Sequence, residues 1–190
     1  MRRERAVKAA ATTLKASQAK AAKLRILGVD PGTRVVGYGI IDTRGPRVEY
    51  IECGVLRLPP TESIPHRLHR LVVALGEVID EFCPTVMAIE AAFHGVNAMS
   101  ALKLGQARGA IMTMAIGRGL EVHEFPPATV KKAVTGSGRA TKAEIQARVR
   151  LLCHLRREPS SDAADALAIA LCYGHTRQAL APASPLRRTR

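Results

Sequence analysis

Four acidic side chains stand where folding could bring them together. Asp30 and Glu90 each follow a short, largely apolar run, and Asp162 and Asp165 open the last predicted helix. Carboxylates that converge repel one another, so a cluster of them requires a bound cation. Oxygen ligands select Mg²⁺ or Mn²⁺ over zinc. The pattern predicts a site for a divalent metal at which these carboxylates converge.

Asp162 and Asp165 also have a simpler explanation, because acids stabilise the first turn of a helix by roughly 0.3–1 kcal/mol. That explanation fits Asp30 and Glu90 less well, since acids are depleted in buried strands. The sequence leaves open which of Asp162 and Asp165 would bind metal directly.

The chain as a whole is basic, with 29 Lys+Arg against 16 Asp+Glu and a formal net charge of +13. Most of this excess lies at the two ends, since residues 26–176 hold 17 basic and 15 acidic side chains. Residues 131–157, however, carry eight basic side chains and one acid, Glu144. Such a run is often a solvated face, but its place just before two of the four carboxylates favours phosphate contacts.

The predicted elements place the acids at one edge of a sheet. Three consecutive strands are expected first, and helices and strands then alternate. Strands are predicted at 24–30, 35–42, 47–58, 85–89 and 121–125, and helices at 63–82 and 97–117. A capping box at Thr141–Glu144 predicts the start of a further helix. This order predicts an α/β fold with a mixed sheet. Because parallel strands end at the same edge, Asp30 and Glu90 are expected to be neighbours.

The chain divides into three parts by composition. Residues 1–23 form a basic, Ala-rich arm that could equally be a transit peptide, residues 24–176 form one domain, and residues 177–190 are expected to be a basic flexible tail. The four cysteines have no paired or zinc-type spacing and are interpreted as reduced, mostly buried thiols of a cytosolic protein. No run approaches the ~18 apolar residues that span a bilayer, so no membrane partner is expected.

Four segments resemble the RuvC family of bacterial Holliday-junction resolvases: Ile26–Gly39, Ala88–Phe93, Asn97–Gly109 and Asp162–Ala170. The likeness spans about residues 24–175. It implies a ribonuclease H-like fold with a mixed five-stranded sheet flanked by helices. It also implies a homodimer in the bacterial cytoplasm that resolves four-way DNA junctions by paired cuts during recombination and repair, with a branch-migration motor complex as partner.

The same resemblance implies roles for particular residues. The four acids become metal-binding catalytic carboxylates, with two Mg²⁺ ions in each site and Mn²⁺ as a substitute. Phe93 matches an aromatic that stacks on a base at the junction point, and the helix from Asn97 matches the dimer contact. Lys131 and Lys142 match residues that meet the DNA backbone, and Lys132 and Arg139 join them from the same basic run.

Two other functions are compatible with parts of the sequence. Asp30-Pro31-Gly32-Thr33 between two strands is similar to the phosphate loop of actin-like ATPases and sugar kinases. Those proteins are far longer, and no second phosphate loop is visible here. A non-catalytic junction binder is the other alternative, supported by the net charge alone.

Overall fold

The computed structural model describes residues 23–91 and 97–180. Three strands come first, followed by helices and strands in alternation and then by three helices. In chain order the elements are β1 (Leu24–Asp30), β2 (Val35–Arg44), β3 (Arg47–Arg57), α1 (Ile64–Phe82), β4 (Val86–Glu90), α2 (Ala98–Gly117), β5 (Glu121–Phe125), α3 (Pro127–Thr135), α4 (Lys142–Leu152) and α5 (Ser161–Leu180).

The five strands form one mixed sheet in the order β3-β2-β1-β4-β5. The β1–β2 and β2–β3 pairs are antiparallel, as expected for a meander, whereas β1–β4 and β4–β5 are parallel. The predicted mixed five-stranded sheet is therefore confirmed. Since Val29 pairs with Ile89 in the parallel ladder, Asp30 and Glu90 follow it side by side at the carboxyl edge.

Helices cover both faces of this sheet, because successive side chains of a strand point to opposite sides. Ile26 of β1 and Val86 of β4 belong to a core shared with α3, α4 and α5. Leu27 and Met87, one position later in each strand, belong to a second core shared with α1 and α2. The result is a three-layer arrangement with the sheet in the middle.

Two strand glycines let α5 lie unusually close to the sheet. A Cβ atom added to Gly28 in β1 would overlap the Ala166 carbonyl oxygen, and one added to Gly37 in β2 would overlap the Asp162 carbonyl oxygen. Glycine in a strand interior often marks such a close backbone approach. Any larger residue at these positions would push the first turn of α5, and with it Asp162, away from the sheet edge.

The ends of the helices agree closely with the local sequence signals. Thr141 and Glu144 form the predicted capping box, in which the Thr141 backbone N–H donates to Glu144 Oε2 at 2.7 Å and the Thr141 hydroxyl accepts from the Glu144 N–H at 3.3 Å. Asn97 caps α2, its side-chain oxygen accepting from two backbone N–H groups. These caps depend only on neighbours in the chain, which is why the sequence alone locates them.

The predicted domain starts at residue 24, where β1 begins, but its predicted end at residue 176 differs from the structure. Helix α5 continues to Leu180, so the first four residues of the expected tail are helical. Residues 1–22 of the expected arm, and residues 181–190, lie outside the described residues. Lys23, the last residue assigned to the arm, pairs with the buried carboxylate of Asp42 at 2.6 Å.

Two further features concern the compartment. All four cysteines are free thiols, of which Cys153 and Cys172 are buried, whereas Cys53 is half-buried and Cys83 is exposed. The expectation of mostly buried thiols is thus met by only two of them. None of the helices in the described part of the chain has the length and apolar character needed to cross a bilayer.

Candidate active site

The four predicted carboxylates gather at the carboxyl edge of the sheet. Strand alternation turns Asp30 and Glu90 toward the face that α5 covers, the face that also carries Ile26 and Ala88. Asp162 and Asp165 lie in the first turn of α5, which the strand glycines hold against this edge. All four side chains are half-buried. The structure therefore brings together the residues that the sequence singled out.

The electrostatics show that these carboxylates act on one another. Burial, followed by the charges of Glu90, Asp165 and Asp162, raises the pKa of Asp30 from 3.8 to about 7. Burial and then the Asp165 charge raise the pKa of Glu90, against the opposing effect of nearby cations. The pKa of Asp165 is raised as well, chiefly by burial. A site with this much unfavourable negative charge favours a bound cation.

The carboxylates are close enough to interact but are not drawn into a finished ligand cage. Within residues 23–91 and 97–180, no three acidic, histidine or cysteine side chains converge tightly enough to hold an ion as they stand. The chemistry of the donor set, four carboxylates and no thiolate or imidazole, fits a hard divalent cation.

Lys142 supplies part of the counter-charge. Its ammonium lies 3.7 Å from Asp165 Oδ2, although the Lys142 side chain is 73% exposed. Lys142 is the first residue of α4, where a cation is disfavoured by the helix dipole, so its position is explained by the carboxylates rather than by α4. Lys131 on α3 also opposes the rise in the pKa of Glu90 and of Asp165.

The remaining predicted DNA-contact residues are not part of this cluster. Lys132 and Arg139 are exposed, and among the described residues neither forms an ion pair with the four carboxylates. Phe93 lies outside the described residues, so its predicted stacking role stays a prediction. Of the basic residues predicted from the run 131–157, the structure thus brings Lys131 and Lys142 to the site.

Arg108 contacts this site and was not among the residues predicted from the sequence. It is a buried residue of α2, 8% exposed, whose Nε donates to the Glu90 carbonyl oxygen at 2.9 Å and whose Nη2 pairs with the Glu124 carboxylate. Both acceptors lie at the carboxyl ends of parallel strands. The only sequence signal is an arginine on the apolar face of a helix, which is too common a feature to identify its partners.

The raised pKa of Asp30 predicts a pH-dependent stability for the metal-free protein. A carboxyl group whose pKa is raised on folding stabilises the folded state fully below its ordinary pKa, and this stabilisation is lost as the pH rises through the folded-state value. The free energy of unfolding should therefore fall between about pH 4 and about pH 7. Asp30→Asn should raise the free energy of unfolding by about 2 kcal/mol at pH 7.5. This is about half of what the pKa of Asp30 implies at 1.36 kcal/mol per pKa unit, because the side chain is only half-buried.

Urea denaturation in EDTA at pH 5 and pH 7.5 measures this difference. Asp80→Asn is the matched control, because Asp80 is exposed and paired with Arg118 on the surface. An Asp30→Asn variant with the same pH dependence as the wild type would contradict the proposed electrostatic strain.

A mixed five-stranded sheet with carboxylates at its parallel edge and acids in the first turn of the closing helix defines a ribonuclease H-like nuclease. The model of the family "Crossover junction endodeoxyribonuclease RuvC" matches residues 26–173. The chain belongs to this family. The expected activity, hydrolysis of DNA phosphodiester bonds at crossover junctions, is confirmed by this membership, and neither of the two alternative functions agrees with it.

Individual relatives agree with the family assignment. The RuvC protein of Citrifermentans bemidjiense is 44% identical over 151 residues, which cover 80% of this chain and 92% of that protein. The RuvC protein of Halorhodospira halophila is 49% identical over 155 residues, which cover 82% of this chain and 92% of that protein. The structure of T. thermophilus RuvC in complex with a Holliday junction substrate superposes with a TM-score of 0.78 at 32% identity, covering 82% of this chain and 96% of that one. The predicted ribonuclease H-like fold is confirmed.

Proposed function

We propose that this chain resolves four-way DNA junctions by paired hydrolysis at a site formed by Asp30, Glu90, Asp162 and Asp165, which binds two Mg²⁺ ions and accepts Mn²⁺ in their place. The observation that carries the proposal is the convergence of these half-buried acids at the sheet edge, where burial and then the charges of the other three raise the pKa of Asp30 to about 7. The ions supply charge neutralisation and Lewis-acid activation of water when bound.

The protein's own groups have distinct tasks in this proposal. Asp30 and Glu90 come from neighbouring strands and are held by the sheet, whereas Asp162 and Asp165 come from α5, so carboxylates of both elements would hold the ions. Lys142 then exchanges its ion pair with Asp165 for a phosphate oxygen of the DNA. Because an ammonium is a compact point charge on a flexible stem, this exchange needs only side-chain rotation.

Basic residues beside the carboxylates engage the DNA backbone. We assign this role to Lys131, Lys132, Arg139 and Lys142, whose charges attract phosphates independently of sequence. Phe93, three residues beyond Glu90 in the chain, is proposed to stack on an unpaired base at the junction point. Its support is the family resemblance.

Cleavage of a synthetic mobile four-way junction tests the proposal. Symmetric incisions should appear with Mg²⁺ and Mn²⁺ and should be absent with Ca²⁺ or EDTA, since Ca²⁺ binds oxygen ligands with longer and less regular geometry. Mapping the cuts on both strands reveals whether they are paired. Equal cutting in EDTA would contradict the metal-site assignment.

An exposed apolar face of α2 supports a homodimer. Met99, Leu102 and Ile116 are 59%, 56% and 60% exposed. At Gly105 and Gly109, no described atom outside the helix's own backbone lies within 4 Å of where a Cβ would be. The helical spacing places these five residues on one side of α2. Within the described residues the two glycines therefore pack against no other element, and we propose that this face meets the same face of a second copy.

Leu102→Glu should convert the proposed dimer to a monomer, because it places a charge in the middle of the apolar contact. Sedimentation velocity at micromolar concentration measures the change, with circular dichroism as the check on folding. Val73→Glu is the matched control, since Val73 is 45% exposed but lies on α1. A Leu102→Glu variant that remains dimeric would show that α2 is not the interface.

The proposal also includes a branch-migration motor complex as partner and a cytoplasmic location in a bacterium. The family resemblance is the support for the motor. The four free thiols are compatible with a reducing compartment.

A further inference from the structure

A small niche next to the turn that follows β1 contains a buried cation, Arg67, two of whose donor atoms have no hydrogen-bond partner among residues 23–91 and 97–180. The niche has a volume of about 10 Å³, enough for one water-sized group. It lies between the turn after β1, the start of α1 and the middle of α2; its lining includes Gly32, Thr33, Ile64, Arg67, Leu68 and Lys103.

Arg67 is the unusual member of this niche. The residue is 8% exposed, and its Nε and Nη2 atoms are shielded from solvent with no hydrogen-bond acceptor in the described part of the chain. A guanidinium cannot release its proton to escape this situation. Buried donors are nearly always paired, so two unpaired donors on one buried cation indicate a missing acceptor.

The surroundings of Arg67 add positive charge. Lys103 lines the same niche. The first turn of α1 contains no acid and has no side-chain cap, so the N–H groups that remain free there, with Pro65 lacking one, also favour an anion. The nearby acid Glu62 is already used, because its two carboxylate oxygens accept from Arg70 at 2.6 and 3.2 Å. Donors thus collect at the niche with no anion to receive them.

We propose that this niche, formed by Arg67, Lys103 and the first turn of α1, is a subsite for one phosphate of the junction DNA, separate from the phosphate that is cut. An oxygen of that phosphate would enter the space beside the guanidinium, and Lys103 would meet the remainder of the group from outside. The inference rests on the proposed nuclease function, which it extends with a second point of contact.

The distance to the carboxylates limits which phosphate can occupy the niche. Thr33 follows Asp30 by three residues, and three residues span at most about 11 Å. Successive phosphates advance by about 3.4 Å along the axis of a strand. The phosphate in the niche should therefore lie within about three nucleotides of the cut, on a strand that crosses the edge of the sheet.

The salt dependence of junction binding is the first test. Arg67→Gln should weaken binding about 5- to 10-fold near 100 mM salt and reduce the slope of log K against log salt by about 0.7–0.9, as expected for one lost phosphate contact. Arg70→Gln is the matched control, because Arg70 lies one turn further along α1, is exposed and pairs with Glu62. Binding is measured in EDTA, so that no strand is cut.

Replacing single phosphates by neutral methylphosphonates is the second test. At one position within about three nucleotides of the cut, this replacement should weaken binding by the wild type about 5- to 10-fold. It should weaken binding by Arg67→Gln less than 2-fold, because that variant has already lost the contact with this phosphate. Lys103→Gln should remove the effect of the same position. As Lys103 is exposed, this variant keeps the test valid if Arg67→Gln fails to fold.

The two hypotheses fail in different ways. If the wild type does not cut junctions with Mg²⁺, the proposed function fails irrespective of Arg67. The subsite is refuted if the wild type cuts but two results hold for Arg67→Gln and Lys103→Gln. Their junction binding would have the wild-type salt slope, and each methylphosphonate would weaken their binding as much as it weakens that of the wild type. The niche would then hold only a water molecule.

Discussion

Glu90→Gln should cut a synthetic four-way junction on the order of 10³-fold more slowly than the wild type, the loss typical of removing a group that stabilises developing charge in the transition state. Gln is nearly isosteric with Glu and keeps one oxygen, but it removes the charge that the proposed cations need. Junction affinity in EDTA should hardly change, because phosphate contacts elsewhere dominate it.

The stability of Glu90→Gln shows whether slower cutting results from the loss of a catalytic group or from a loss of folded protein. Since burial and the Asp165 charge raise the pKa of Glu90, removing its charge should make the metal-free protein slightly more stable at neutral pH. Single-turnover cleavage with saturating enzyme, together with urea denaturation, measures both quantities. Glu121→Gln is the matched control at the opposite end of the parallel strands, where Glu121 is exposed. Wild-type cleavage by Glu90→Gln with Mg²⁺ would refute the site assignment.

Arg108→Gln should lower the cleavage rate about 10- to 100-fold, a range typical of residues that orient metal ligands. Arg108 joins α2 to the ends of β4 and β5 through the Glu90 carbonyl and the Glu124 carboxylate. Gln is too short to reach both acceptors, so the end of β4, and Glu90 with it, would lose its fixed position. Arg108→Lys should recover little activity, because an ammonium cannot reproduce the planar fork of donors.

Hydrogen exchange distinguishes this positioning role from a general loss of stability. The Ala91 N–H donates to the Phe125 carbonyl oxygen at 2.8 Å, directly beside the Glu90 carbonyl that Arg108 holds. In Arg108→Gln this amide should exchange about 10-fold faster, whereas amides in the middle of β1 should exchange at nearly the wild-type rate. Arg118→Gln, which breaks a surface pair with Asp80, should leave Ala91 and the cleavage rate unchanged. Normal cutting by a folded Arg108→Gln variant would contradict the assigned role.

Arg108 also links two proposed parts of the enzyme. On its helix, α2, the buried Arg108 lies one turn after Gly105, beside the exposed apolar face that includes Leu102. A change in how two copies pack along α2 would therefore be transmitted directly to the end of β4. This connection gives a physical route by which dimer formation could influence the position of Glu90 within each protomer.

The features that the sequence predicted well are local ones. The capping box at Thr141 and Glu144, the start of α2 at Asn97 and the strands that end at Asp30 and Glu90 depend on residues a few positions apart. The α/β order followed from the sequence of apolar periods, since each period is set by the geometry of a single helix or strand. Asp30 and Glu90 were recognisable because carboxylates at strand ends contradict the apolar pattern around them. Asp162 and Asp165 were recognisable as two acids at the start of a predicted helix, a position that the helix dipole alone could also explain.

Tertiary structure decided everything that joins distant parts of the chain. The register that sets Asp30 beside Glu90, the approach of Lys142 to Asp165, and the contact of Arg108 with Glu90 all connect separate elements. An arginine in a helix has no sequence signal for its acceptor, because its long side chain can reach partners in several directions. The Nε and Nη2 atoms of Arg67 have no acceptor in the part of the chain that the structure describes, and this is likewise a property of the fold, since only burial removes the water that would otherwise bond them.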